Sequence, residues 1–203
     1  MTRRSLLFAL GLSGIWIKVW PARLVAAGQT DPDWIRMWEA AQKERPAQIP
    51  SAARIAPASE PGQPLVIHGR IFAKDGRQPL AGTIVFAYQT GPDGLYQRPG
   101  QSGWRLQGWA RTTADGTFEF QTVRPGPYPG RAIPAHVHLS VDGPGVPREW
   151  LDELQFADDA LVKEEDRRKS DQAGLFGTIR PVRTVDGVQH CDINFRITGA
   201  HRF

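Results

Sequence analysis

Apolar and polar positions along the chain fall into two regimes. Near the start, Trp34, Met37, Trp38 and Ala41 recur at i, i+3, i+4 and i+7, the stripe of one helix face. Asp31 is placed to cap that helix, Pro32 suits its first position and Asp33 puts an acid in its first turn. Pro46 stops it. From residue 65 onward the period shortens to two. Runs at 65–73, 83–89, 117–122, 136–141, 180–185 and 188–197 read as strands. The last sets Ile193, Phe195 and Ile197 on one face, with Asp192, Asn194 and Arg196 on the other. Asp-Gly pairs at Asp75-Gly76, Asp93-Gly94, Asp115-Gly116, Asp142-Gly143 and Asp186-Gly187 punctuate these runs and mark tight turns. Short strands at this spacing predict an all-β chain, a β-sandwich of mostly antiparallel strands. A short N-terminal helix and an extended arm rich in Pro, Ala and Ser (49–64) precede it. The stretch 150–171 is charged and only locally helical in pattern.

Charge divides the chain more sharply than its total suggests. Residues 1–27 carry Arg3, Arg4, Lys18 and Arg23 and no acid, so the whole formal charge of +4 lies there. Between Arg4 and Lys18 runs an uncharged, mostly apolar stretch shorter than the roughly 18–20 residues a membrane span needs. A basic start, an apolar middle and Val25-Ala26-Ala27 before Gly28 predict a cleavable export signal. Arg3-Arg4 followed by Ser-Leu-Leu resembles a twin-arginine signal, so the expected location is periplasmic or secreted. Without that segment the chain is near neutral, which argues for neither a nucleic-acid partner nor a membrane surface. The expected organisation is signal 1–27, helix and arm 28–64, and one sandwich domain 65–203. The helix bearing Trp34 and Trp38 could pack on its own domain or on a second copy, which leaves a homo-oligomer open. Cys191 is the single cysteine, so no internal disulfide forms; its place in an alternating strand suits a small buried hydrophobe.

The chemistry concentrates in Arg124-Pro-Gly-Pro-Tyr128-Pro-Gly-Arg-Ala-Ile-Pro-Ala-His136-Val-His138. Two residues apart on a strand, His136 and His138 project from the same face, their α-carbons roughly 6.5–7 Å apart, near enough for both imidazoles to reach one ion. A His-x-His alone also fits a pair of exposed strand histidines. Tyr128 lies in a Pro-Gly-rich run too constrained to be a central strand, a stiff loop that fixes one phenol. Tyr96 ends a Gly-rich turn after another strand. Trp104 and Trp109 could wall a pocket or pack the sandwich.

These blocks resemble the intradiol ring-cleavage dioxygenases, especially the protocatechuate 3,4-dioxygenase branch. The resemblance rests on Gly69-Arg70-Ile71, Tyr88-Gln89 and Gly94-Leu95-Tyr96, on Thr113 through Pro129, and on Pro134-Ala-His-Val-His-Leu-Ser-Val141. It implies non-haem Fe(III) held by Tyr96, Tyr128, His136 and His138. Phenolates are hard anionic donors that favour the higher oxidation state. It implies a small aromatic diol and O2 as substrates, with the ring cut between its two hydroxylated carbons to a muconate-type product. Tyr128 would also act as a base released by the substrate. The family's pocket arginine falls at Ile133 here, and Arg131 is the candidate replacement; a family glutamine near the substrate aligns with Glu153, and a carboxylate there would disfavour anionic substrates. Two other readings compete: a non-catalytic binding module on the same scaffold, and a copper or zinc enzyme using the His-x-His.

Overall fold

Among residues 32–203, which the computed structural model describes, eleven strands form two facing sheets. The expected export signal and the Asp31 cap lie outside these residues. The elements run α1 (Pro32–Gln42), β1 (Ala52–Arg54), β2 (Pro64–Phe72), β3 (Ile84–Gln89), β4 (Leu106–Arg111), β5 (Thr117–Val123), β6 (His136–Gly143), β7 (Val146–Trp150), β8 (Leu154–Phe156), α2 (Glu164–Gln172), β9 (Ile179–Arg180), β10 (Val182–Val185) and β11 (Val188–Arg196). Sheet A has the order β1-β5-β2-β11-β10; sheet B has β4-β3-β6-β8-β9, with β7 also paired to β6. Most pairings are antiparallel, but β1–β5, β2–β11 and β8–β9 are parallel.

Alternation decides what each sheet buries. Leu65, Ile67 and Ile71 of β2, Phe118 and Phe120 of β5, and Ile193 and Phe195 of β11 meet Val85, Leu106, Val137, Leu139 and Val141 of sheet B in the core. Cys191 joins them, fully buried, while Asp192 and Arg196 point to water. Sheet B is covered on its second face as well, and β3 is buried throughout. There Ile84, Phe86, Tyr88, Trp104, Trp109 and Trp150 pack against Trp38 and Ala41 of α1. Large aromatic side chains supply most of the apolar area at that contact. The helix is then fastened by polar groups: the buried Trp38 Nε1 donates to Ser140 Oγ (2.8 Å), Trp109 Nε1 to Gln42 Oε1 (3.2 Å), and Arg45 pairs with Asp142. The helix thus packs on its own domain.

The chain departs from the sequence pattern in one instructive place. The run 180–185 is not one strand but two, β9 in sheet B and β10 in sheet A. Pro181 between them lacks an N–H and cannot continue a ladder, so the chain changes sheets there. β4 carries Gly108 because the arm passes close by: a Cβ there would lie 3.1 Å from Arg54 O. All five glycines of the Asp-Gly pairs adopt positive φ.

Candidate metal centre

On β6, Val137, Leu139 and Val141 enter the core, so His136, His138 and Ser140 face the opposite side of sheet B, toward α1 and the loops. The tyrosines come from two loops that touch. Gly126 N donates to Gly91 O (2.9 Å) and Thr90 Oγ1 donates to Gly126 O (2.8 Å). A Cβ on Gly126 would stand 2.2 Å from Pro92 O, and one on Gly94, whose φ is 76°, would stand 2.1 Å from Pro127 O. Only glycine lets the two loops approach this closely. Beneath them the buried Gln89 amide donates to Val123 O (2.8 Å) and accepts from the Thr122 hydroxyl (3.1 Å). Arg105 N holds Tyr96 O at 2.9 Å, and the Arg105 guanidinium is paired with the buried Glu60 carboxylate.

The four expected donors converge. Tyr96 Oη lies 2.5 Å from Tyr128 Oη and 2.8 Å from His138 Nε2. Tyr128 Oη lies 3.1 Å from His136 Nε2 and 3.4 Å from His138 Nε2, and the two Nε2 atoms are 3.1 Å apart. The tautomers follow from the partners behind the rings. Pro134 O, an acceptor only, is 2.7 Å from His136 Nδ1, so the proton sits on Nδ1 and the lone pair on Nε2. Glu153 Oε1, 3.2 Å from His138 Nδ1, sets the same tautomer there. Two imidazole lone pairs therefore face each other and two phenol oxygens, with only the phenol protons to share among them. A cation relieves this crowding: adjacent ligands at about 2.0–2.2 Å from one ion sit roughly 3 Å apart. The donor set fits a metal, and two phenols among four donors fit a hard, highly charged one.

Electrostatics point the same way. Burial pushes the Tyr128 phenol up to about 12, against the opposing hydrogen bond of Tyr96. Burial also raises Tyr96 well above the ordinary phenol value, with Tyr128 and Tyr88 adding to it. Burial lowers His136, reinforced by the neighbouring His138, which keeps that ring neutral and able to donate a lone pair. These phenols lose their protons only to something that brings positive charge. Burial works against the charge of Glu153, but the His138 ring N–H beside it outweighs this and holds the carboxyl below its ordinary value. His136, His138 and Glu153 also form a group able to hold an ion, the Glu153 Oε2 to His136 Nε2 distance being 4.0 Å.

Glu153 thus stands against both histidines, its carboxylate engaged by His138. Arg131 is exposed, with its guanidinium carbon 6.0 Å from the Tyr128 ring centroid, where its charge favours the phenolate. Ile133 is half-buried. Sequence reasoning gave no donor-side role to Tyr88, yet the chain has three tyrosines and all three stand here. Tyr88 pairs in register with His138, stacks on its ring (centroids 4.6 Å, planes 12° apart) and on Trp104 (3.7 Å, 11°). Its one sequence signal is the strand run 83–89, whose alternation puts it on the same face as Ile84 and Phe86. Trp34 gave no such signal, because its contact with the site is purely tertiary. A groove of about 410 Å³ lies away from this centre on the outer face of sheet A, between His68, Arg70, Glu119 and Asn194. The convergence of donors, rather than the size of a hollow, marks the site.

The sandwich and its two-tyrosine, two-histidine cluster fit a metal-binding class, and comparison with known proteins gives the chain a family. The dioxygenase family model matches residues 32–199, and the chain belongs to that family, in its intradiol ring-cleavage branch. It is 33% identical to catechol 1,2-dioxygenase 2 of Acinetobacter lwoffii over 111 residues, 46% of this chain and 40% of the relative. It is 26% identical to the protocatechuate 3,4-dioxygenase beta chain of Burkholderia cepacia over 113 residues, 50% of this chain and 48% of the relative. The chain spans less than half the length of these curated relatives. Among solved structures, the dioxygenase domain of a carbohydrate-binding fusion protein from Streptomyces sp. SirexAA-E matches with TM-score 0.56 and 26% identity, covering 75% of this chain and 90% of that one. Catechol 1,2-dioxygenase from Pseudomonas arvilla C-1 shares the fold with TM-score 0.57 at 20% identity, covering 86% and 71%.

Proposed function

We propose that the protein is a non-haem Fe(III) intradiol dioxygenase that cleaves a catechol-type ring between its two hydroxylated carbons, using O2, to a muconate-type dicarboxylate. The observation that carries this is the meeting of two phenol oxygens and two imidazole Nε2 atoms within 3.4 Å of their neighbours, with both Nδ1 positions occupied from behind. Tyr96, Tyr128, His136 and His138 would hold the ion. Ferric iron bound there supplies Lewis acidity and a template that brings the diol and O2 together. Tyr128 is suited to take a substrate proton, because burial makes its phenolate a strong base. Arg131, beside it at the surface, favours the deprotonated form and is placed to meet a substituent on the ring. Glu153 keeps His138 in the donating tautomer and puts a negative charge near the substrate, which supports neutral catechols over carboxylated ones. The basic, apolar and small-residue pattern of residues 1–27 supports export and action outside the cytoplasm.

The test begins with colour. Protein loaded with ferric iron is expected to show a tyrosinate-to-iron charge-transfer band in the visible, and to consume O2 with catechol. Tyr96→Phe and His138→Ala should each bleach or strongly shift that band and abolish turnover. Full iron content and unchanged colour in both variants would sink the proposed coordination. A colourless protein that instead holds zinc tightly would favour the zinc-enzyme alternative.

A further inference from the structure

The first turn of α1 reaches the metal centre through one side chain. The ring of Trp34 lies 5.6 Å from Tyr96 with planes 80° apart, and 5.7 Å from His138. It also meets Tyr88 (5.8 Å) and Trp104 (5.6 Å, planes 27° apart). Among the described residues, and besides the donor Tyr128, the aromatic rings that touch both Tyr96 and His138 are Trp34 and Tyr88. Tyr88 is fully enclosed between His138 and Trp104, whereas Trp34 keeps part of its surface open. The helix that carries Trp34 does not hang freely. One turn further on, Trp38 is buried and bonded to Ser140, two residues along β6 from His138, and Gln42 is bonded to Trp109. Trp34 is therefore held at a fixed height beside the donors, with an indole surface that still has no partner over part of its area.

We propose that Trp34 is a wall of the substrate pocket, stacking on the catechol ring and limiting the size of substituents the ring can carry. This rests on the ring-cleavage reading above. Trp34 touches no reacting atom by this account; it binds and selects. A flat, electron-rich ring brought to the Tyr96 and His138 side meets an indole already oriented by α1, and offset stacking of that kind favours planar partners. The same fixed indole excludes branched substituents, because the Trp38 bond prevents the helix from retreating. Selectivity would thus come from a helix outside the sandwich, pinned to it one turn away.

The experiment compares iron-loaded parent, Trp34→Phe and Trp34→Ala. Without O2, titration with catechol and with 4-tert-butylcatechol is followed by the shift of the visible band, and thermal melting is recorded in parallel. With O2, kcat/KM is measured for both compounds. Trp34→Ala is expected to bind catechol about three- to tenfold more weakly, the range of one aromatic stacking contact. Its 4-tert-butylcatechol to catechol ratio of kcat/KM should rise by a similar factor or more, while Trp34→Phe keeps most of the parent affinity. If Trp34→Ala does not fold, Trp34→Leu keeps apolar bulk without a flat face and carries the same comparison. Variants with a lowered melting temperature but parental binding and selectivity would overturn the proposal and leave Trp34 a packing residue. A parent that binds neither compound would overturn the ring-cleavage reading itself, and this assignment with it.

Discussion

The Glu153 carboxylate stands 3.2 Å from His138 Nδ1, on the far side of the ring from the nitrogen that faces the two phenols. A carboxylate behind a ligand imidazole fixes its tautomer and raises its basicity, and losing such a partner typically costs 10–100-fold in metal affinity. Glu153→Ala is therefore expected to retain iron about 10–100-fold less well against a chelator. Glu153→Gln, whose amide oxygen still accepts the Nδ1 proton, should hold iron close to the parent value while gaining activity on protocatechuate relative to catechol. Chelator competition read by iron analysis measures the first effect, and paired kcat/KM values the second. Equal iron retention in Glu153→Ala and parent would remove Glu153 from the support of His138.

Gly126 offers a purely steric test, because its φ is not in the left-handed region. A methyl group there would press on Pro92 O at 2.2 Å, so the Tyr96 and Tyr128 loops must part. Gly126→Ala should lose about 1–3 kcal/mol of stability, the range of forced overpacking, and should bind iron substoichiometrically. Urea unfolding with iron analysis checks both. Unchanged stability and full iron would mean that the loops yield freely.

Away from the centre, Arg124 donates to Asp158 Oδ1 at 2.7 Å, and that hydrogen bond is the main reason the Asp158 carboxyl lies below its ordinary value. A lowered acid stabilises the fold fully above its unfolded pKa near 4. That contribution is lost as pH falls through the lowered folded value. Asp158 is largely exposed, so the effect is below about 1 kcal/mol. Asp158→Asn should be slightly less stable than the parent at pH 7, and the gap should close under acid below pH 4. Denaturation midpoints at both pH values decide it, and a gap that widens in acid would contradict the assignment.

Cys191 sits in the core, and burial pushes its thiol up to about 12. Thiolate, not thiol, reacts with disulfide reagents. The native protein should leave Ellman's reagent unreacted at pH 8 and release one equivalent of thiol once denatured. Rapid reaction of the native form would place Cys191 at an opening of the sheet.

Much of this centre is legible in the chain because its parts are local. His136 and His138 share a face by strand alternation, and the Pro-Gly run around Tyr128 declares a rigid loop before any fold is known. α1 and the strands near 65–73, 83–89, 117–122 and 188–197 follow from periodicity and Asp-Gly punctuation. What the chain hides is tertiary. β7 and β8 are short, and Gly108 interrupts the pattern of β4. Pro181 splits one apparent strand between two sheets. Trp34 meets His138 across about a hundred residues, and Glu153 meets it from another strand connection; no spacing rule links either pair. Glu153 was readable only as a residue near the pocket, and its bond to the imidazole required the fold.

The parallel pairing of β2 with β11 carries a kinetic consequence. Leu65 is matched with Gln189 and Phe72 with Arg196, so the middle of sheet A joins segments more than a hundred residues apart. Closing so long a loop is costly in chain entropy and is repaid only when the whole ladder forms. Topologies dominated by such distant pairings fold in milliseconds to seconds rather than microseconds. During synthesis β2 can pair with β5 along one edge, while its other edge waits for a partner that leaves the ribosome more than a hundred residues later. A chain cut before Val188 would leave the inner edge of β2 unpaired, and its expected fate is aggregation rather than a smaller sandwich.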